Sequence, residues 1–164
     1  MKRARTGKLH VLKCKPYPTP YKMQAVVDQE IENMLAIGVI ERSEAAYISP
    51  LVLVKKADGT YRVYVNFKEL NKITVFDPEP IMSPDDIIQS WLEVNFTTLD
   101  FCKGYWVIPM EEQSKDYTTF VSSRGLMIFR VMPFRMVNSG LTYHRMIRTL
   151  LDGTHNLESY VHDI

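Results

Sequence analysis

No apolar run in this 164-residue chain approaches the ~20 residues that a membrane span requires. Cysteine is scarce: Cys14 and Cys102 are the two thiols. Two thiols build neither a multi-bridge disulfide framework nor a zinc site of the usual four-ligand kind. No signal peptide opens the chain, so the expected setting is reducing and intracellular, cytoplasmic or nuclear, rather than secreted. Glycine is also sparse, and no glycine-rich phosphate loop, nucleophile–histidine arrangement, internal repeat or low-complexity tract is found. What is present is an ordinary globular composition, 46% hydrophobic and 24% charged, in a length that suits one domain.

A net charge of +1 hides an asymmetry. Residues 1–22 hold seven cations (Lys2, Arg3, Arg5, Lys8, Lys13, Lys15 and Lys22) and no acid, leaving 13 basic against 19 acidic residues in the remainder. A basic N-terminal arm over residues 1–15 is therefore expected; such an arm serves as a nucleic-acid contact, a nuclear signal or simply a solvated tail.

Pro16, Pro18 and Pro20 make an extended entry, and Thr19-Pro20 reads as a cap followed by the first helical position. Met23, Val27, Ile31, Met34 and Leu35 then mark one apolar face, with Gly38 as the stop, which predicts a helix over 20–37. Residues 51–54 and 61–65 are strand-like runs joined through Ala57-Asp58-Gly59-Thr60, a hairpin signal. Lys55, Lys56 and Arg62 cluster near its tip. Such charges commonly blunt a sheet edge, and three cations on a projecting hairpin also suit a triphosphate or a backbone phosphate.

Ser83-Pro84-Asp85-Asp86 opens a second helix with acids in its first turn, and Ile87, Ile88, Trp91 and Leu92 supply its buried face. A strand over 96–99 follows, ending in Asp100. A short polar helix is expected at 111–117 and a hairpin of 118–122 with 127–131 across Ser123-Arg124-Gly125. Past Met132-Pro133-Phe134, Asn138 is the expected cap of a helix to Leu151, with Ile147, Leu150 and Leu151 inward and Gly153 beyond its end. The last predicted strand covers 157–164. This order predicts an α+β fold, a largely antiparallel sheet with helices packed on one face.

An Asp at a strand end is most often a turn or cap residue. Asp100 gains interest from Tyr160-Val161-His162-Asp163-Ile164, a second apolar strand with an acid at its tip. Two strand ends that bring carboxylates together are what two-metal phosphoryl transfer needs.

Five stretches stand together in order: PYPTPYKMQAVVDQEIENMLAIGVIERS, SPLVLVKKADGTYRVYVNFKELNKIT, LDFCKGYWVIPMEEQSKDYTTFV, VMPFRMVNSGLTYHRM and YVHDI. From Pro16 to the end, the chain resembles the reverse transcriptase (RNA-directed DNA polymerase) of gypsy-type LTR retrotransposons. The resemblance implies the fingers and the beginning of the palm of a right-hand polymerase over residues 16–164, breaking off within the active-site hairpin. It implies nucleotidyl transfer with two Mg2+ ions, a dNTP, an RNA or DNA template-primer, no membrane partner, and thumb and ribonuclease H regions elsewhere in the parent polyprotein. By resemblance Asp100 is the first metal-binding carboxylate. Asp163 matches the second Asp of the family's Tyr-x-Asp-Asp turn, with His162 where the first Asp stands. Lys56 and Arg62 match the cations that hold the triphosphate, the backbone at Phe101 and Cys102 lines it, Tyr105 lies under the sugar as a gate against a 2′-hydroxyl, and Phe134 shapes the base pocket.

Five departures from the family pattern bear on activity. His162 puts an imidazole, a poor magnesium ligand, in the place of a carboxylate. A carboxylate ~4 Å from a dication supplies on the order of 8 kcal/mol of raw Coulomb attraction at an effective dielectric of about 20, before desolvation. Arg135 stands where the family has Gly, so it either intrudes on the pocket or adopts a glycine-type backbone. Gly140 replaces a family Pro, and Asn66 and Lys68 replace an Asp and an Arg. The expectation is a polymerase by descent that is catalytically dead. The alternatives are a non-catalytic nucleic-acid-binding remnant and a non-functional pseudogene product.

Overall fold

The structure is a computed structural model that describes residues 20–80, 83, 85, 89 and 103–154. The arm over 1–15, the strand predicted at 96–99, the buried face of the second helix and the strand predicted at 157–164 lie outside the described residues, as do Asp100, Phe101, Cys102, His162 and Asp163.

Helix α1 (Tyr21–Ala36) buries Val27, Ile31 and Met34, the four- and three-residue spacing of one helical face. It begins one residue later than expected. Pro20, with ψ 137°, remains extended and serves as the cap through its carbonyl, which accepts the Met23 amide at 2.8 Å. Gly38 does stop the helix: at φ +72° it closes a Schellman pair, Val39 N–H to Met34 O at 3.0 Å and Gly38 N–H to Leu35 O at 3.1 Å.

The chain then makes β1 (Ile40–Arg42), β2 (Leu51–Lys55), β3 (Tyr61–Val65) and α2 (Lys68–Ile73). After a 3₁₀ turn at Gly104–Val107 come α3 (Glu112–Lys115), a second 3₁₀ turn at Asp116–Thr118, β4 (Phe120–Ser122), β5 (Gly125–Phe129) and α4 (Ser139–Leu151). Strands β1, β5 and β4 form one antiparallel sheet in that order, with Ile40 opposite Phe129 and Phe120 opposite Met127. Strands β2 and β3 form an antiparallel hairpin, Leu51 opposite Val65. The Ser49 amide donates to Thr119 O at 2.8 Å and fastens the hairpin's entry to β4.

The second hairpin is shifted from its expected bounds. Thr118 and Thr119 are not in the strand, because the Thr118 hydroxyl donates to Lys115 O at 2.6 Å and accepts the Phe129 amide at 3.0 Å, which holds the chain in the 3₁₀ turn. Gly125 belongs to β5, so Ser123 and Arg124 alone make the loop.

One core cluster joins Val27, Ile31 and Met34 of α1 to Ile40, Phe67, Leu70, Phe120, Met127 and Phe129. A second gathers Met110, Met132, Tyr143 and Ile147 under α4. Helix α4 corrects two expectations. Leu150 is 68% exposed: the buried face runs through Ser139, Tyr143 and Ile147 at four-residue intervals, a seam that leaves Leu150 to one side. Asn138 occupies the cap position but does not cap with its side chain. It accepts the Asp77 amide at 3.2 Å and donates to Val75 O at 2.9 Å, tying the segment after α2 to the head of α4.

A cationic cleft between hairpin and turn

The hairpin β2–β3 turns on Gly59, whose φ of +82° is the left-handed position of a type I turn with a bulge. Gly59 N–H reaches Lys56 O at 3.1 Å and Lys56 N–H reaches Thr60 O at 2.8 Å. Asp58 accepts both the Thr60 hydroxyl at 2.6 Å and its amide at 2.9 Å. Those two donors, with Lys56 and Arg62 nearby, hold the Asp58 carboxyl below its ordinary pKa of 3.8. Asp58 and Lys56 are 4.0 Å apart, a weak surface pair that leaves the ammonium available.

Strand alternation puts Arg62 and Tyr64 on the same face of β3. The Arg62 guanidinium donates to the Tyr64 hydroxyl at 3.4 Å, and that contact, ahead of the attraction of Asp58, raises its pKa further. The ring face of the same Tyr64 carries a second guanidinium, that of Arg135, 4.0 Å from the ring centroid. Arg135 has φ +71°, a left-handed conformation that side chains other than glycine rarely adopt. Asn71 of α2 holds the backbone that follows with both ends of its amide: the NH2 donates to Arg135 O at 2.9 Å, and the carbonyl accepts the Val137 amide at 2.9 Å. The glycine-type backbone expected as one outcome for this position is observed, and Arg135 also lines the cleft. The side chain lies along Tyr64 on the cleft wall.

Opposite stands the 3₁₀ turn. Lys103, also left-handed at φ 59°, places its ammonium 4.7 Å from the Trp106 ring centroid. Trp106 packs at 5.9 Å on Phe134, and Phe134 packs at 5.0 Å on Tyr105, whose ring in turn meets Tyr143 edge-on at 5.3 Å. Burial, and then Tyr143, push the Tyr105 phenol pKa upward, so it remains a neutral hydroxyl at physiological pH. Gly140, near the start of α4, lies under this ring: a Cβ there would meet the Tyr105 hydroxyl at 3.5 Å. Asn66 accepts the Lys68 amide at 3.0 Å, an acceptor role that the amide oxygen fills as a carboxylate would.

Between these elements lies a cleft of about 610 Å³. Lys56, Arg62, Lys103 and Arg135 line it, with Glu30 as its one acid among the described residues and Tyr64, Trp106 and Phe134 as aromatic walls. Lys56, Arg62 and Phe134, three of the residues singled out in the sequence, thus converge on one surface. Tyr105 stands one ring behind, in contact with Phe134. Lys103, Trp106, Tyr64 and Asn71 were not singled out for this site. The alternation Arg62-x-Tyr64 is the one signal that points to any of them, because Asn71 and Arg135 meet only through the fold. No group of three or more His, Cys, Asp or Glu side chains among the described residues is placed to hold a metal ion. No helix among them is long and apolar enough to cross a membrane.

The chain is similar to known proteins in sequence and in fold. The family described as "Reverse transcriptase (RNA-dependent DNA polymerase)" matches residues 54–164. The chain is 34% identical over 143 residues to the retrovirus-related Pol polyprotein from transposon 297 of Drosophila melanogaster, covering 84% of this chain and 14% of that protein. It is 33% identical over 153 residues to the corresponding polyprotein from Drosophila transposon opus, covering 90% and 15%. It therefore spans about a seventh of the length of these relatives. The native prototype foamy virus protease-reverse transcriptase superposes with a TM-score of 0.85 at 24% identity, covering 98% of this chain and 22% of that one. The foamy viral enzyme in complex with an RNA/DNA hybrid gives 0.82 at 21% identity, covering 96% and 21%. The fold is thus that of these enzymes, α+β with antiparallel sheets. On the family match and the identity to the transposon polyproteins, the chain belongs to the reverse transcriptase family.

Proposed function

We propose that residues 16–164 are the fingers and the beginning of the palm of a retrotransposon reverse transcriptase, preceded by a basic arm over 1–15. Its cleft holds a nucleoside triphosphate that the chain does not turn over with magnesium. The observation that carries the reading is the convergence of Lys56, Arg62 and Phe134 on one cleft. Lys56 and Arg62 hold the phosphates, Phe134 meets the base, and Tyr105 supports Phe134 from behind at the sugar. Charge-assisted contacts of this kind do most of the positioning that in-line phosphoryl transfer requires. Phe101 and Cys102 complete the pocket by family resemblance, and an RNA or DNA template-primer is the partner, in an intracellular setting.

Asp100 and Asp163 are the family's metal-binding carboxylates, and a pair of magnesium ions there would supply charge neutralisation at the transferring phosphoryl group. The donor set does not fit that task. Magnesium demands oxygen ligands in near-octahedral geometry, and His162 brings a single imidazole nitrogen where a third carboxylate belongs. The residues that remain bind and orient a nucleotide, and catalysis fails at the metal.

Calorimetric titration of the chain with a deoxynucleoside triphosphate in magnesium tests the binding half. Micromolar to millimolar affinity is expected, weakened roughly tenfold by Lys56→Ala and again by Arg62→Ala, since a charge-assisted hydrogen bond contributes about 1.5–3 kcal/mol. Heats that do not change in either variant would place the nucleotide elsewhere.

A further inference from the structure

Arg135 does something in this cleft beyond straining its own backbone. Its guanidinium lies on the face of Tyr64 while Arg62 holds the hydroxyl of the same ring, so one tyrosine gathers two guanidinium groups at the cleft wall. Lys56 stands at the hairpin tip of the same wall and Lys103 across from it on Trp106. Among the described residues, four cations thus line one volume against a single acid, Glu30. None of the four is paired in a close salt bridge: the 4.0 Å Lys56–Asp58 contact is the nearest approach to one among the described residues. Like charges gathered on low-dielectric aromatic walls repel one another and draw in a polyanion of matching length. Asn71 holds the backbone that follows the left-handed Arg135 with a donor and an acceptor, and the Tyr64 face receives the guanidinium, so the arginine is presented at the cleft wall.

We propose that this cleft is a metal-independent polyphosphate site, in which Arg135 joins Lys56, Arg62 and Lys103 to bind the phosphate chain of a nucleoside triphosphate without a divalent ion. The inference deepens the nucleotide reading given above and rests on it. Magnesium ordinarily screens the triphosphate's own charge; here fixed cations take that role, and Arg135 is the added one. Guanidinium groups suit it because they bind phosphate oxygens in a planar, two-pronged geometry and never lose their charge.

The test is titration of the full chain with inorganic tripolyphosphate and with a deoxynucleoside triphosphate, both in EDTA, alongside thermal melts. Binding of both without metal is expected. Arg135→Gly and Arg135→Asn, which keep the left-handed backbone accessible, should each weaken it about tenfold or more while the melting temperature holds or rises. If Lys56→Ala and Arg62→Ala weaken binding but the Arg135 variants leave it unchanged or tighten it, Arg135 is an obstruction and the inference fails while the nucleotide reading survives. If the Lys56 and Arg62 variants are silent and the Arg135 variants alone weaken binding, Arg135 binds phosphate apart from the hairpin cations, and the nucleotide reading and the shared site built on it both fail. Absence of any binding in EDTA, with binding restored by magnesium, overturns the inference.

Discussion

Gly104 has no room for a side chain. A Cβ at that position would stand 2.5 Å from the Tyr143 hydroxyl oxygen and 2.6 Å from the ring carbon that bears it, well inside van der Waals contact. Tyr143 is 1% exposed and anchors the second core cluster, so it cannot swing aside. Gly104→Ala should therefore cost about 1–3 kcal/mol, the range for forcing extra atoms into a packed core. A thermal melt would show this as a fall of several degrees. Adding Tyr143→Phe should not restore stability, because the ring carbon still clashes; full restoration would mean that the hydroxyl alone sets the spacing. The sequence could not reveal this contact, since Gly104 and Tyr143 lie far apart along the chain. Arg135 was more legible. Its place in a stretch where the resembled family has glycine offered the left-handed backbone that is found as one of two outcomes, but not the Tyr64 ring that receives its side chain.

At the scale of elements, local rules read well and long-range ones poorly. The stop at Gly38, the Asp58-Gly59 turn and the seam of α1 each depend on residues close in sequence, and each is present in the fold. Asn138 is the instructive failure. Its sequence context is that of a helix cap, yet its side chain is recruited by Val75 and Asp77, which no local pattern foretells. The same segment is held again by Arg145, which pairs with Asp77 at 3.0 Å and Glu79 at 2.7 Å, while Arg148 adds Glu79 at 2.6 Å. The β2–β3 turn offers a direct test of its own electrostatics. Asp58 has its pKa lowered first by the Thr60 hydroxyl, so its contribution to the turn is complete above the unfolded value of 3.8 and is lost as pH falls through the lower folded value. NMR titration of the carboxyl should place its midpoint below 3.8, and Thr60→Ala should move it upward. A midpoint indifferent to that substitution would show that the hydroxyl does not hold the carboxylate.

At the scale of the whole molecule, the cleft exists because the hairpin and the turn after β5 are carried by one core and faced by the 3₁₀ turn beside α4. Resemblance singled out Lys56, Arg62 and Phe134; that they share one volume is a property of the fold alone. The assignments of Asp100, Phe101, Cys102, His162 and Asp163 rest on motif matches and lie outside the described residues. They carry the central claim all the same: a member of the reverse transcriptase family that binds a nucleotide and does not turn it over with magnesium. Losing one preorganised electrostatic stabiliser commonly costs about 10²–10³ in rate. On the proposed assignment His162 leaves the metal site short one carboxylate, and on the further inference Arg135 holds the phosphates independently of any ion there. The most direct measurement is primer extension on an RNA template with magnesium, comparing the chain, His162→Asp, and each with Asp100→Ala. The account predicts no incorporation above background by the chain or by His162→Asp, because restoring the carboxylate does not return the phosphate chain from Arg135 and the other fixed cations to a metal pair. Magnesium-dependent incorporation by either, abolished by Asp100→Ala, would contradict it.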